Sequence, residues 1–118
     1  MAAHNELGQL GENIAAKRLA DEGYEILERQ WRHNHKEIDI IALKDGVLAI
    51  VEVKTRSSER FGGASELITQ NKMKFLIEAS EAYVQAVGFD GEVRFDAAVI
   101  FVEGNEYKVE HIENVFIP

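Results

Sequence analysis

The stretch Glu37-Ile38-Asp39-Ile40-Ile41-Ala42-Leu43-Lys44-Asp45-Gly46-Val47-Leu48-Ala49-Ile50-Val51-Glu52-Val53-Lys54 decides how this chain folds. Asp45-Gly46 is a strong hairpin signal, because both residues tolerate the positive φ that a tight two-residue turn demands. It divides the stretch into two strands, Glu37–Leu43 and Val47–Lys54, that are apolar on both faces, as expected of a buried central pair. Counting outward from a two-residue turn pairs Lys44 with Val47, Asp39 with Glu52 and Glu37 with Lys54. Side chains alternate across a sheet, so this register places Glu37, Asp39, Glu52 and Lys54 on one face.

Directly opposed residues have Cβ atoms about 4.5–5.5 Å apart, and like charges so placed destabilise a hairpin. In apolar surroundings the repulsion needs compensation, and Mg²⁺ or Mn²⁺ is the natural candidate, since hard divalent cations take oxygen ligands. Lys54, two residues beyond Glu52, can then reach a phosphate or a water on that metal. The alternative is an exposed hairpin end, with Glu37–Lys54 a surface ion pair and the two acids solvated. The apolar flanks favour the buried pair.

Outward from the hairpin, residues 6–22 read as a helix with Leu7, Leu10 and Ile14 on one face and Gly23 as its stop. Tyr24–Trp31 reads as a strand and Arg32–Lys36 as a polar loop. Beyond the hairpin, Thr55–Ala64 is polar, contains Gly62-Gly63, and is expected to be a mobile loop. Ser65–Val87 has helical spacing closed by Gly88, Val93–Val102 is a long strand, and Gly104-Asn105 turns into a last strand over Tyr107–Ile112. The order α-β-β-β-α-β-β predicts an α/β fold, a mixed central sheet flanked by helices with at least one crossover.

The 118 residues suit one domain over 1–118. No apolar run approaches the ~18 residues that cross a bilayer, and Met1-Ala2-Ala3-His4-Asn5-Glu6 lacks the character of a signal peptide, so the expected setting is cytoplasmic with no membrane partner. The absence of cysteine excludes disulfides, zinc–thiolate sites and thiol nucleophiles. The net charge of −8 argues against a general nucleic-acid coat, but residues 29–74 hold 9 of the 13 Lys/Arg and only 6 of the 21 Asp/Glu. A basic middle on an acidic body permits a polyanion site.

Other candidate side chains have plainer structural alternatives. Glu12 shares a helical stripe with Gly8, Ala15, Ala16 and Leu19, and periodicity alone puts it at the edge of the buried stripe. Arg56 and Arg60, flanking the polar loop, are candidate contacts to backbone phosphates, and so is Lys72, although Lys72 and Lys74 suit solvated helix charges equally. His33 and His35 fit exposed loop positions. Trp31 could stack a base, but a buried strand tryptophan is the commoner case. Asp96 reads as structural.

Several blocks together carry a family resemblance: Gly11-Glu12 with Ala15 and Leu19; Gly23-Tyr24-Glu25-Ile26-Leu27; Glu37-Ile38-Asp39-Ile40-Ile41-Ala42; Val51-Glu52-Val53-Lys54-Thr55-Arg56; Gly62; Lys72 with Ala79 and Tyr83; and Arg94-Phe95-Asp96. They resemble the YraN family of uncharacterised bacterial proteins, within the PD-(D/E)xK nuclease superfamily. That family usually has glycine before the glutamate of the acidic strand, where this chain has Lys36, a change at the strand entry rather than in the acids. The resemblance implies a restriction-endonuclease-like fold, with Holliday-junction resolvases as the nearest characterised relatives. It implies that Asp39 and Glu52 ligate Mg²⁺ or Mn²⁺, that Lys54 orients the attacking water, and that Glu12 assists metal binding, against its periodicity. The resulting expectation is a metal-dependent nuclease hydrolysing DNA phosphodiester bonds at branched structures, with a homodimer implied by the resemblance alone. The alternative is a non-catalytic nucleic-acid-binding module of the same fold.

Overall fold

A computed structural model describes residues 2–57 and 68–118. Helix α1 (Ala2–Asp21) is followed by strands β1 (Glu25–His33), β2 (Lys36–Lys44) and β3 (Val47–Arg56), then helix α2 (Gln70–Val87) and strands β4 (Glu92–Glu103) and β5 (Glu106–Ile112). The α-β-β-β-α-β-β order and the mixed sheet are those read from the sequence. The strands lie side by side in chain order, with β3–β4 parallel and every other neighbouring pair antiparallel. A parallel pair of consecutive strands needs a crossover, and α2 provides it.

Two boundaries differ from expectation. The polar segment Arg32–Lys36 is not a loop of five residues, because β1 runs to His33, β2 starts at Lys36, and Asn34 turns the chain at φ 59°. Asparagine tolerates that left-handed conformation, so two residues suffice. Thr55 and Arg56 continue β3, paired with Ile100 and Phe101 of β4, rather than opening a loop. Residues 58–64 of that expected loop, with Arg60 and Gly62-Gly63, lie outside the described residues, as does the expected helix start at Ser65. Within them, Thr69 caps α2 by accepting the Lys72 amide hydrogen.

The sheet has a core on each face. Phe75, Leu76, Ala79 and Tyr83 of α2 pack on Ile41, Leu48, Ile50, Phe95, Ala97 and Val99. Ala15 and Leu19 of α1 pack on Ile40, Ala42, Ala49, Val51, Ala98 and Ile100. The small side chains on the α1 side let that helix lie close, and Gly11 brings its backbone so near β3 that a Cβ there would overlap Thr55 Oγ1. The close approach fixes the azimuth of Glu12, the next residue.

At the far end of α1 a buried polar network ties the layers together. Arg94 donates to Asp96 through Nε (2.9 Å) and Nη2 (2.8 Å), and also to the Tyr24 hydroxyl. The His111 ring lies between Asp96 Oδ2 (2.8 Å, from Nε2) and Glu22 Oε1 (2.9 Å, from Nδ1). The Asn114 amide completes the set at Asp96 Oδ1, 3.1 Å away.

Candidate metal and nucleic-acid site

The Asp45-Gly46 turn has both residues at positive φ, and β2 and β3 pair outward from Lys44–Val47 in the expected register. That ladder ends at Ile40–Val51, one rung before the acids would meet. The cause lies one strand over. Gln30 takes φ 53°, and the β1–β2 pairing steps from Arg29–Ile40 to Trp31–Ile38 with no Gln30–Asp39 pair between. Alternation breaks at that rung, so Ile38 belongs to the core under α2 while Ile40 belongs to the core under α1. The expected opposition of Asp39 and Glu52 on one face is therefore corrected: β2 and β3 diverge there, and the Asp39 carboxylate enters the gap, where its Oδ2 accepts the Val53 amide hydrogen at 2.8 Å. The expected Glu37–Lys54 pairing is also absent, since Glu37 is paired with Arg32 in the β1–β2 ladder and their side chains lie 3.5 Å apart.

Glu52 follows Val51 and points to the α2 side. Its side chain is 5% exposed, and its Oε2 lies 3.3 Å from Lys54 Nζ and 3.6 Å from Lys72 Nζ. Its Oε1 is buried and has no hydrogen-bond partner among the described residues. Burial first, and then the charge of Glu52, push the Asp39 carboxyl up from the ordinary 3.8 to about 7, against the Val53 hydrogen bond. Glu12, 6% exposed, approaches from α1 and is held by Arg29 (Nε at 3.2 Å from Oε1) and by Gln30 Nε2 (3.4 Å from Oε2). Its charge adds to the rise at Asp39. A cleft of about 550 Å³ between α1 and the diverging strands is lined by Glu12, Gln30, Asp39, Lys54 and Thr55 together with Leu7, Gly8, Gln9 and Val53.

Glu12, Asp39 and Lys54 thus line the cleft, while Glu52 and Lys72 lie on the α2 side, near enough for their charges to act on Asp39. Arg56 sits two residues beyond Lys54 and donates to the Thr55 carbonyl, 3.1 Å away; Arg60 is outside the described residues. Sequence reading missed Arg29 and Gln30, which orient Glu12. An irregular rung at a glutamine carries no composition signal, and nothing in the alternation of Glu25–His33 announces it.

The donor set suits a hard divalent cation. The unpartnered Glu52 oxygen and the under-compensated Asp39 are the acceptors such an ion takes. Among the described residues no three His, Asp or Glu side chains converge tightly enough to form a cage.

Comparison with known proteins places the chain. A family model described as "Uncharacterised protein family UPF0102" matches residues 11–100. The chain belongs to this family. A UPF0102 protein of Flavobacterium psychrophilum is 44% identical over 116 residues, covering 98% of both chains. Another from Bacteroides thetaiotaomicron is 42% identical over 118 residues, covering all of this chain and 98% of its own. The UPF0102 match spans Glu12, Asp39, Glu52, Lys54 and Lys72 and stops at Ile100, so it takes in both the gap and the start of the polar network at Arg94-Phe95-Asp96. Among the described residues of this UPF0102 chain, no helix is long and apolar enough to cross a membrane.

Proposed function

We propose that this UPF0102 protein is a metal-dependent nuclease that hydrolyses DNA phosphodiester bonds, including those of branched structures. The observation that carries the reading is the buried, unpartnered Glu52 Oε1 beside an aspartate whose carboxyl is pushed up by burial and by that same glutamate. A protein that only stabilised its fold would satisfy that Glu52 oxygen, because an unsatisfied buried acceptor costs on the order of 1–3 kcal/mol. Asp39 and Glu52 would hold the ion. When bound, Mg²⁺ or Mn²⁺ supplies Lewis-acid polarisation of a phosphoryl oxygen and lowers the pKa of a coordinated water. Lys54, 3.3 Å from Glu52, would place a positive charge beside the phosphate oxygens as they gain negative charge. Glu12, fixed by Arg29 and Gln30, is placed to orient a water in the cleft. Lys72 and Arg56 contribute charge for the flanking backbone. The resemblance to resolvases supports branched DNA as substrate and a homodimer as the working form.

The test is a cleavage panel with Mg²⁺ or Mn²⁺ on single-stranded, duplex, flap and four-way DNA. Metal-dependent cleavage of at least one substrate, lost in Asp39→Asn and Glu52→Gln, is the expected result; a wild-type protein inert on all of them overturns the nuclease reading. A second reading, a nucleic-acid-binding module without chemistry, draws on one observation: both Glu12 oxygens already have protein partners and do not need an ion.

A further inference from the structure

From Glu52 a row of cations and rings runs across the α2 face of the sheet towards β1. Lys72 Nζ, 3.6 Å from Glu52, also sits 5.3 Å from the centre of the Phe75 ring, and Lys36 Nζ lies 5.7 Å from the same centre. Two ammonium groups share one ring, and Lys36 is exposed and has no carboxylate partner among the described residues. Beyond Phe75 lies His33 at 6.2 Å, its Nε2 held 3.0 Å from Glu78 Oε2. Beyond that is Trp31, its ring parallel to His33 within 6° at 6.3 Å and braced edge-on by Tyr83 at 5.2 Å. The break at Gln30 is what turns Trp31 towards α2, so the irregularity that opens the acidic gap also aligns these rings.

Charged groups interleaved with half-buried aromatic planes are what an unpaired nucleic-acid strand recognises: backbone phosphates meet the lysines, and splayed bases stack on rings without regard to sequence. A duplex keeps its bases stacked inside and gains nothing from the rings. We propose that Trp31, His33, Lys36 and Lys72 form a track for a single-stranded nucleic-acid segment leading to the Asp39–Glu52 gap. The proposal rests on the nuclease reading for the role of that gap, and it narrows the substrate to one with an unpaired arm.

Trp31 is the only tryptophan in the chain, so its emission reports on the track directly. The experiment titrates the full chain, in a chelator that prevents cleavage, with oligothymidylate and oligouridylate of about ten nucleotides, a length within the usual site size, and with a duplex of equal length. The expected result is saturable quenching by single strands and weaker, unquenched binding of duplex; the two oligonucleotides show whether deoxyribose or ribose is preferred. His33→Ala should weaken single-strand binding by on the order of tenfold, as for loss of one stacked base. Lys36→Ala should lower the salt slope by about 0.7, the share of one phosphate on a single strand. Trp31→Phe should abolish the signal while keeping most of the affinity in a fluorescent-oligonucleotide assay. Absence of saturable binding, single-strand binding that leaves Trp31 emission unchanged, or equal quenching by duplex overturns the track. Failure of the nuclease reading looks different: the strand binds and quenches in chelator, yet added Mn²⁺ gives no cleavage.

Discussion

Asp96 on β4 is fully buried and Asp39 on β2 is half-buried in the same sheet, and their carboxyls are pushed in opposite directions. Burial alone would raise Asp96, but hydrogen bonds from His111 and Arg94 outweigh it and hold the group below the usual carboxylate range. At Asp39 burial acts in the same sense, and the strongest charge effect comes from another carboxylate, Glu52, so the group rises to about 7. In the Asp96 cluster each carboxylate is bonded to a cation; in the other, Glu12 and Glu52 have cations beside them, but among the described residues Asp39 has none and Glu52 Oε1 is left over. The first cluster is closed by its own partners, and the second is where the proposed ion would bind.

The comparison is broken most severely by removing Asp96. Asp96→Ala leaves Arg94 and His111 charged and buried, and the expected loss is about 3–5 kcal/mol in urea unfolding. A loss below about 1 kcal/mol, the scale of an exposed ion pair, would mean that the network is a bystander. In the other cluster, Lys54→Met keeps the aliphatic stem and removes the charge. Cleavage should slow by about 10²–10³, as for loss of one preorganised donor, with DNA affinity nearly unchanged. A parallel fall in affinity and rate, rescued by excess DNA, would make Lys54 a binding residue only.

Asp39→Asn should have the opposite sign from Asp96→Ala and stabilise the metal-free protein. A carboxyl raised in the folded state keeps its proton while the unfolded chain loses it, so wild-type stability falls as pH rises from about 4 to about 7 and then levels. Asparagine can still accept the Val53 amide hydrogen and lacks that penalty. The expected gain at pH 8 is on the order of 2 kcal/mol, vanishing near pH 4, after an allowance for burying the amide. A loss at pH 8 would show that the charge itself is stabilising.

A smaller pH effect belongs to the polar network. Burial depresses His111, but hydrogen bonds to Asp96 and Glu22 outweigh it and raise the ring above 6.5. Its contribution is therefore complete below pH 6.5 and lost as pH rises through the raised value. His111→Gln should remove that alkaline loss and leave a flatter stability profile above pH 6.5, a change smaller than the one at Asp39. A wild type and a variant with identical pH profiles above 6.5 would show the ring to be neutral when folded.

The fold was legible because its signals are local. Asp45-Gly46 dictates its own turn, and the unbroken apolar runs of β2 and β3 mark central strands. Residue type and spacing single out Asp39 and Glu52 as candidates. Their relative placement was not legible, because counting along a ladder assumes that alternation persists, and the left-handed Gln30 on a different strand ends it one rung early. Glu12 illustrates the same limit from another side. Helical periodicity made it a stripe-edge residue, whereas its burial comes from the close approach that Gly11 allows and from Arg29, contacts that exist only after α1 docks.

The most direct test of the central claim, that the gap between β2 and β3 is a metal site, is thermal unfolding of the wild type and Glu52→Gln across a Mn²⁺ titration. At about 100 times the dissociation constant a bound ion adds about 2.7 kcal/mol, a rise of several degrees in Tm for a chain of this size. The account predicts that rise for the wild type and none for Glu52→Gln. An unchanged Tm in the wild type, or an equal rise in Glu52→Gln, would contradict it.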